Sequence, residues 1–591
     1  MTYRAPVDDI LFTLDHAAGL AAAREAGLYD ALDRETFAAI LAEAGAFAED
    51  VVAPLLRPGD REGARFADGA VTTPAGFREA YKAWAAAGWN GVLADEAYGG
   101  QGLPAVLWAA TTELWASASM AFGLCPMLTQ GAIEALQSHG SDALKALYLP
   151  KLVSGEWTGT MNLTEPQAGS DLALLRTRAE RAGDGTYRLF GQKIFITYGE
   201  HDASDNIVHL VLARLPDAPE GTRGISLFLA PKFIPDAEGK PGARNDVACV
   251  GIEEKLGIHA SPTCTMAFGD AGGAVAYLVG EEHRGLACMF TMMNNARLGV
   301  GLEGVAVAER ATQQALAFAA ERKQGRAPGY DGAAPIAAHP DVRRMLLTMR
   351  AQTAAARAIC YRAAVEIDRA RATADADEAR AASERASLLI PIAKAFSTDA
   401  GCEVASLGVQ VHGGMGFIEE TGAAQLLRDA RIAPIYEGTN GIQAMDLVMR
   451  KLPQSGGAVA AAEIGRLRDS ARRLAETNAP ALGASAARLA EAVDALDRAT
   501  AWMQAPERDA SEKLAGATPY LRLFALAAGG AGLADNALGA LRSAGAAAPS
   551  AHAALARFFM ENLVPAADGL ARVATEGAGA LGAEAEAALA V

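Results

Sequence analysis

No Cys-x-x-Cys pair occurs anywhere in the 591-residue chain. Its six cysteines, Cys125, Cys249, Cys264, Cys288, Cys360 and Cys402, are scattered, which provides neither zinc-ligand spacing nor a disulfide framework. Buried thiols and no bound metal are therefore expected. Positive charge is scarce as well: 53 Lys and Arg stand against 70 Asp and Glu, for a net charge of -17. With an isoelectric point near 5.1 and no local basic patch, the chain would repel a phosphate backbone, and nucleic acid is not an expected partner. The opening Tyr3-Arg4-Ala5-Pro6-Val7-Asp8-Asp9 has acids where a secretory leader needs an apolar core, so a cytoplasmic location is expected. Stretch 114–133 carries no charge, yet Ser117, Ser119, Pro126 and Gln130 dilute it below a membrane span. It reads as a buried helix plus turn, and no integral membrane segment is expected.

What is present is ordinary globular usage, 51% hydrophobic and 21% charged, over a length that exceeds one core. Helical periodicity dominates up to about Leu152, as in 36–52 and 105–118, interrupted by Pro54, Pro58 and the loop Gly99-Gly100-Gln101-Gly102. Short β-branched and aromatic runs follow at 187–190, 193–197, 206–213 and 225–230. Helical spacing resumes at Leu286 and holds through 297–320, 343–367, 379–407 and 425–428. Pro453-Gln454-Ser455-Gly456-Gly457 has linker composition, and Ala/Leu/Arg/Glu-rich sequence continues to the end. The expected fold is mainly α with a central β-domain. Its parts are a helical domain over 1–157, a small β-domain over 158–282, a helical bundle over 283–452, and a helical extension over 458–591.

Three segments can carry chemistry. Met161-Asn162-Leu163-Thr164-Glu165-Pro166-Gln167-Ala168-Gly169-Ser170-Asp171 gathers hydroxyls and small residues where helical sequence gives way to strand. Such a loop can offer N–H groups and hydroxyls to a ring edge or pyrophosphate, and equally can be a plain polar connection. Gln410-Val411-His412-Gly413-Gly414-Met415-Gly416-Phe417 allows close backbone approach to a ligand, though an interhelical turn explains it as well. Arg428 to Gln443 places Glu437 beside Gly438 and Thr439 after apolar sequence. That carboxyl is either partly desolvated, with raised basicity, or simply favours a helix N-terminus.

Together these segments resemble the acyl-CoA dehydrogenase family, in the family's order, from about Tyr3 to Arg450. The most specific pieces are Thr164-Glu165-Pro166 with Gly169-Ser170-Asp171, and Tyr436-Glu437-Gly438-Thr439. Gly88-Trp89-Asn90, Gly191-Gln192-Lys193, Glu254-Lys255-Leu256-Gly257-Ile258 and Arg322-Lys323-Gln324-Gly325 add to them. The extra length, together with Leu389-Ile390-Pro391-Ile392-Ala393-Lys394, resembles the large bacterial branch.

The resemblance implies FAD as cofactor. Leu163, Thr164, Gly169 and Ser170 would line it, with Ser170 also near the substrate, and Phe195, Ile196 and Thr197 would flank the ring system. Phe195 stands where many members have Trp. Arg322, Gln410, Gly413 and Gly414 would reach the flavin of a neighbouring subunit, which implies a homodimer, and Thr439 would contact the flavin of its own. Asn294, Arg297 and Gly438 would hold the acyl-CoA, although relatives commonly have Asp in place of Asn294. Glu437 would be the catalytic base, since the family's alternative base position is Ala296 here.

The implied reaction is α,β-dehydrogenation of an acyl-CoA thioester to a trans-2-enoyl-CoA, with 3-methylmercaptopropionyl or short- to medium-chain acyl groups and an electron-transferring flavoprotein as acceptor. Three rival readings are compatible with the sequence. They are a flavin-dependent acyl-CoA oxidase, a non-catalytic nucleic-acid-associated relative, and a purely structural helical protein. The second needs a basic C-terminal region, whereas 458–591 contains a single lysine, Lys513.

Overall fold

A computed structural model describes residues 2–544 and 550–590. Two compact units account for them: 1–46 with 105–117 and 300–591, and 47–104 with 118–299.

The second unit is built on an eight-stranded sheet. In chain order its strands are β1 (Trp157–Asn162), β2 (Arg178–Arg181), β3 (Tyr187–Thr197), β4 (Asn206–Arg214), β5 (Ile225–Pro231), β6 (Val247–Ile252), β7 (Thr263–Phe268) and β8 (Ala274–Val279). The spatial order is β6-β7-β3-β8-β5-β4-β1, with β2 pairing β3 and β4. β1 runs parallel to β4, and β5 antiparallel to it. Alternate side chains of β4 serve different cores. Val208, Leu210 and Leu212 pack with Leu136, Tyr148 and Trp157, while Val211 and Ala213 pack with Leu189, Phe228 and Phe268. Burial on both faces is why β4 and β5 read as continuous apolar runs rather than alternating ones.

Two expectations change here. The runs 187–190 and 193–197 form a single strand, because Gly191 at φ +146 carries the chain between them. A Cβ at that position would lie 2.7 Å from the Thr177 hydroxyl, so only glycine passes. The 161–171 segment also follows strand β1 rather than a helix.

Stretch 114–133 lies in the Ala105–His139 helix, which breaks at Ser119 (φ -159, ψ 104). The Ser119 hydroxyl accepts from the Phe122 N–H at 3.4 Å, acting as an internal cap for the next turn. Pro58 does not interrupt a helix as expected. It sits in the first turn of the Leu56–Glu62 helix, where a missing N–H costs nothing.

In the first unit the helices Pro340–Ala372 and Ala376–His412 pack side by side. The Gly285–Glu321 helix reaches the latter through Gly304 and Gly401. A Cβ on Gly304 would fall 2.3 Å from the Ser397 carbonyl, so this crossing depends on glycine. Buried Arg357 joins Glu113 at 2.6 Å and Glu309 at 2.8 Å. The Asp368 carboxylate accepts from the Ala105 and Val106 N–H groups and from the Tyr29 hydroxyl, which caps the helix that starts there.

The C-terminal helices, among them Ala458–Thr477, Ser485–Gln504 and Ala517–Ala544, belong to this same unit. Arg385 bridges Glu366 at 2.6 Å and Glu463 at 2.7 Å, and Arg362 meets Asp535 at 2.7 Å. The Ala517–Ser543 stretch is long and apolar enough to cross a membrane, yet 94% of its most apolar window is buried inside the protein. Residues 453–457 form a tight turn rather than a loose linker, with the Ser455 hydroxyl bonded to Glu384 at 2.8 Å.

Candidate active site

Within the second unit, the residues expected to cradle a flavin converge. The 161–171 loop is tied to β3 by the Ile194 N–H donating to the Thr164 carbonyl at 2.9 Å, and by the Lys193 ammonium donating to the Leu163 carbonyl at 2.9 Å. Buried Lys193 also meets Glu165 at 2.9 Å. Burial would raise the Glu165 carboxyl. Lys193 and hydrogen bonds from Thr177 and Arg176 outweigh it and hold the group down at about 2.

The polar edge of this loop faces outward. Ser170 and Gly169 are exposed, and a Cβ on Gly169 would meet nothing within 4 Å. Phe195 is 58% exposed and adopts φ +60 inside a strand. A left-handed phenylalanine costs about 1–3 kcal/mol and is retained where the exposed ring has a use. Ile196 beside it is buried, and the Thr197 carbonyl accepts from the Thr160 hydroxyl at 2.7 Å. An open loop edge with hydroxyls and free N–H approach, next to an unburied aromatic face, fits a flavin. Arg297 is buried in this unit, and so is Ala296. Asn294 lies on the Gly285–Glu321 helix, and its side chain is outside the described residues.

The first unit holds the candidate base. Glu437 stands at φ +53 and Gly438 at φ +78, so the chain makes a left-handed turn there before Thr439 caps the Asn440–Asp446 helix. The Thr439 hydroxyl accepts from the Ile442 N–H at 3.2 Å. Three side chains fix this turn. The fully buried Lys394 ammonium donates to the Gly438 carbonyl at 3.0 Å and to the Asn440 side-chain carbonyl at 2.9 Å. The Gln443 amide donates to the Glu437 and Gly438 carbonyls, each at 3.1 Å. The Tyr436 hydroxyl donates to the carboxyl of Glu303, which projects from the Gly285–Glu321 helix. Burial pushes Glu303 up to about 8. The Tyr436 bond pulls down against this, the Glu437 charge adds to the rise, and Lys394 opposes it.

A second cluster in the same unit gathers Arg322, Gln410, Gly413 and Gly414 at one end of the bundle. The rings of Phe318 and His412 stack at 4.4 Å, which brings the ends of the Gly285–Glu321 and Ala376–His412 helices together. Arg322 and Gln410 are exposed, and Cβ atoms on Gly413 and Gly414 would meet nothing within 4 Å.

Sequence reading missed Glu303, although a signal existed: it is the one charge in the apolar run 298–308. Lys394 was seen only as part of a motif, because nothing in the sequence shows that it reaches Gly438.

The chain matches family models along most of its length: the acyl-CoA dehydrogenase N-terminal domain over 34–156, middle domain over 160–271 and C-terminal domain over 283–452. A further model, acetyl-CoA dehydrogenase C-terminal like, covers 461–583. The chain is 49% identical over 538 residues to the 3-methylmercaptopropionyl-CoA dehydrogenase of Ruegeria pomeroyi, covering 88% of this chain and 89% of that one. It is 36% identical to the broad-specificity linear acyl-CoA dehydrogenase FadE5 of Mycobacterium tuberculosis, covering 79% and 78%. Among solved structures, Caenorhabditis elegans ACDH-11 in complex with C11-CoA superposes with a TM-score of 0.76 at 23% identity, covering 95% and 92%. An acyl-CoA dehydrogenase from Bacillus anthracis complexed with FAD gives 0.74 at 22% identity, covering 93% and 90%. Those two likenesses bear on the fold, whereas the family models and the identity to the bacterial enzymes bear on kinship. Three consecutive domain matches and the Ruegeria relative together establish that this chain belongs to the acyl-CoA dehydrogenase family.

Proposed function

We propose that this acyl-CoA dehydrogenase uses the Glu437 carboxylate to remove the α-proton of a bound acyl thioester. The observation that carries this reading is the turn at Glu437, where a left-handed carboxylate residue is held by Lys394 and Gln443 bonds on its following carbonyls. Such anchoring holds the backbone of the turn in one conformation, which supports a positioned general base. In this reading the backbone N–H of Glu437 also donates to the thioester carbonyl, and one such donor contributes about 2.7–4 kcal/mol to stabilising an enolate-like oxygen.

FAD, held by Leu163, Thr164, Gly169, Ser170, Phe195, Ile196, Thr197 and Thr439, supplies when bound the two-electron acceptor for the β-hydrogen. Ser170, Asn294, Arg297 and Gly438 bind the acyl-CoA. Arg322, Gln410, Gly413 and Gly414 serve the flavin of the partner in a homodimer. Exposed Met415, Phe417 (85% exposed) and Ile418, beside those glycines, support a face covered by another subunit. Kinship to the Ruegeria enzyme favours 3-methylmercaptopropionyl-CoA as the substrate, with short- and medium-chain acyl-CoA as the wider class. The acidic surface suits a cytoplasmic enzyme that passes its electrons to an electron-transferring flavoprotein.

The domain limits 1–157, 158–282, 283–452 and 458–591 are proposed on the same footing.

The test is anaerobic bleaching of the purified yellow protein by 3-methylmercaptopropionyl-CoA, butyryl-CoA and octanoyl-CoA. Rapid bleaching by at least one thioester, without hydrogen peroxide release under air, is expected. A protein that none of them bleaches, or that turns over with stoichiometric peroxide, would refute the dehydrogenase reading.

A further inference from the structure

Glu303 is 2% exposed in the middle of an apolar helical run, and its hydrogen bond from the Tyr436 hydroxyl links it to the residue just before Glu437. A buried ionisable group with a single partner is costly and is generally replaceable by an apolar side chain of similar volume. The Gly304 crossing, with the Ser397 backbone only 2.3 Å from where a Cβ would stand, fixes the height of Glu303 along the bundle.

We propose that Glu303 is a positioning residue for Glu437: it anchors Tyr436, and it keeps its own proton so that Glu437 alone carries the negative charge of the pair. The inference rests on the reading of Glu437 as the base.

The groups that act on Glu303 are Tyr436, Glu437 and Lys394. Burial and the Glu437 charge favour its neutral form, and the two opposing groups do not cancel them, so ionisation waits until about 8. The Tyr436 phenol is pushed well above its ordinary value by burial and by Glu303, and so it stays a donor. The Glu437 charge adds to burial in disfavouring a second negative charge on Glu303, so Glu303 keeps its proton. Tyr436 and Glu437 are adjacent in the chain, so fixing the phenol fixes one side of the left-handed turn, while Lys394 and Gln443 fix the other.

Above that pH, ionised Glu303 repels the Glu437 carboxylate and raises its affinity for a proton. A more basic carboxylate removes the α-proton faster, and an acceleration of about two- to fivefold is expected through that window.

The experiment measures anaerobic flavin bleaching by a good acyl-CoA between pH 6 and 10 in the parent, Glu303→Gln, Glu303→Leu and Glu437→Gln holoenzymes. Thermal midpoints are recorded over the same range. The parent should show an inflection near 8 that Glu303→Gln lacks. Glu303→Leu should keep its flavin and lose about tenfold at neutral pH, because the Tyr436 hydroxyl is left without its acceptor, and glutamine should restore most of that loss. Since the folded-state carboxyl titrates above its unfolded value, its contribution to stability is full below about 4.3 and is lost as pH rises through the folded value. The parent's midpoint should therefore fall across that window relative to Glu303→Gln.

Superimposable pH profiles for the parent and Glu303→Gln would overturn the proposal, as would parental bleaching by Glu303→Leu. If the leucine variant does not fold, the comparison with glutamine decides alone. Parental bleaching by Glu437→Gln would instead sink the assignment of the base, which separates the two failures.

Discussion

The Lys394 ammonium donates to the Gly438 carbonyl at 3.0 Å, so a fully buried cation on one helix sets the backbone immediately after the candidate base. Its second bond, to Asn440 at 2.9 Å, ties that turn to the start of the following helix. A charged donor in this position makes stronger bonds to the two carbonyl oxygens than a neutral one would.

Replacing Lys394 by Met removes both bonds while keeping the length of the chain. Two half-buried carbonyls lose a charged donor, and a loss of about 2–4 kcal/mol in folding stability is expected, read from urea unfolding of the holoenzyme. Bleaching by acyl-CoA should also slow in the protein that remains folded, because the Glu437 turn is released. Unchanged stability together with unchanged bleaching would show that Lys394 does not hold the turn.

Glu437→Gln keeps size and removes basicity. Flavin content should match the parent, while the rate of anaerobic bleaching falls about 10²–10⁴-fold. Ala296, at the family's alternative position, has no carboxyl to substitute. Bleaching within a fewfold of the parent would show that another group takes the proton.

The Glu165–Lys193 pair anchors the 161–171 loop. Glu165→Gln leaves the buried Lys193 ammonium uncompensated, so a loss of about 3–5 kcal/mol is expected, measured by chemical denaturation. The depressed carboxyl gives this pair a pH signature. Its contribution is present above the unfolded value and disappears as pH falls toward about 2, so the parent should lose its advantage over the variant at low pH. A variant as stable as the parent at pH 7 would refute this assignment.

Gly304→Ala places a methyl group against the Ser397 backbone at 2.3 Å, where neither helix can yield cheaply. Destabilisation of about 1–3 kcal/mol is expected, visible as a lower thermal midpoint. A neutral effect would mean that the helices separate freely at this crossing.

Truncation after Leu452 removes Glu463 and Asp535, the partners of buried Arg385 and Arg362. The shortened chain should be insoluble or lose flavin when expressed. A soluble, yellow truncate defective only in turnover would contradict a stabilising role for the extension.

Most of the architecture could be read from the chain. Helical periodicity located the long helices 285–321, 340–372 and 376–412 to within a few residues. β-branched runs located β4 and β5, because strands buried on both faces are apolar throughout. Other strands escaped notice. Arg178–Arg181 is short and has a polar outer face, so composition does not mark it, while Val247–Ile252 is an apolar run that was passed over. The join across Gly191 is invisible for a related reason, since glycine punctuates sequence whether it breaks a strand or passes through one.

The candidate base was in view from the family resemblance of its Tyr-Glu-Gly-Thr setting, and the acidic composition made a nucleic-acid partner unexpected. Tertiary structure decided what surrounds the candidate base. Glu303 and Lys394 lie far from Glu437 along the chain, and only the close glycine crossing of two helices brings one carboxyl and one ammonium to the turn at Tyr436 to Asn440. A sequence determines local preference and the burial pattern, because those depend on neighbours within a few residues. The protonation of Glu303 depends on desolvation and on charges contributed by distant segments, and these exist only once the chain has packed.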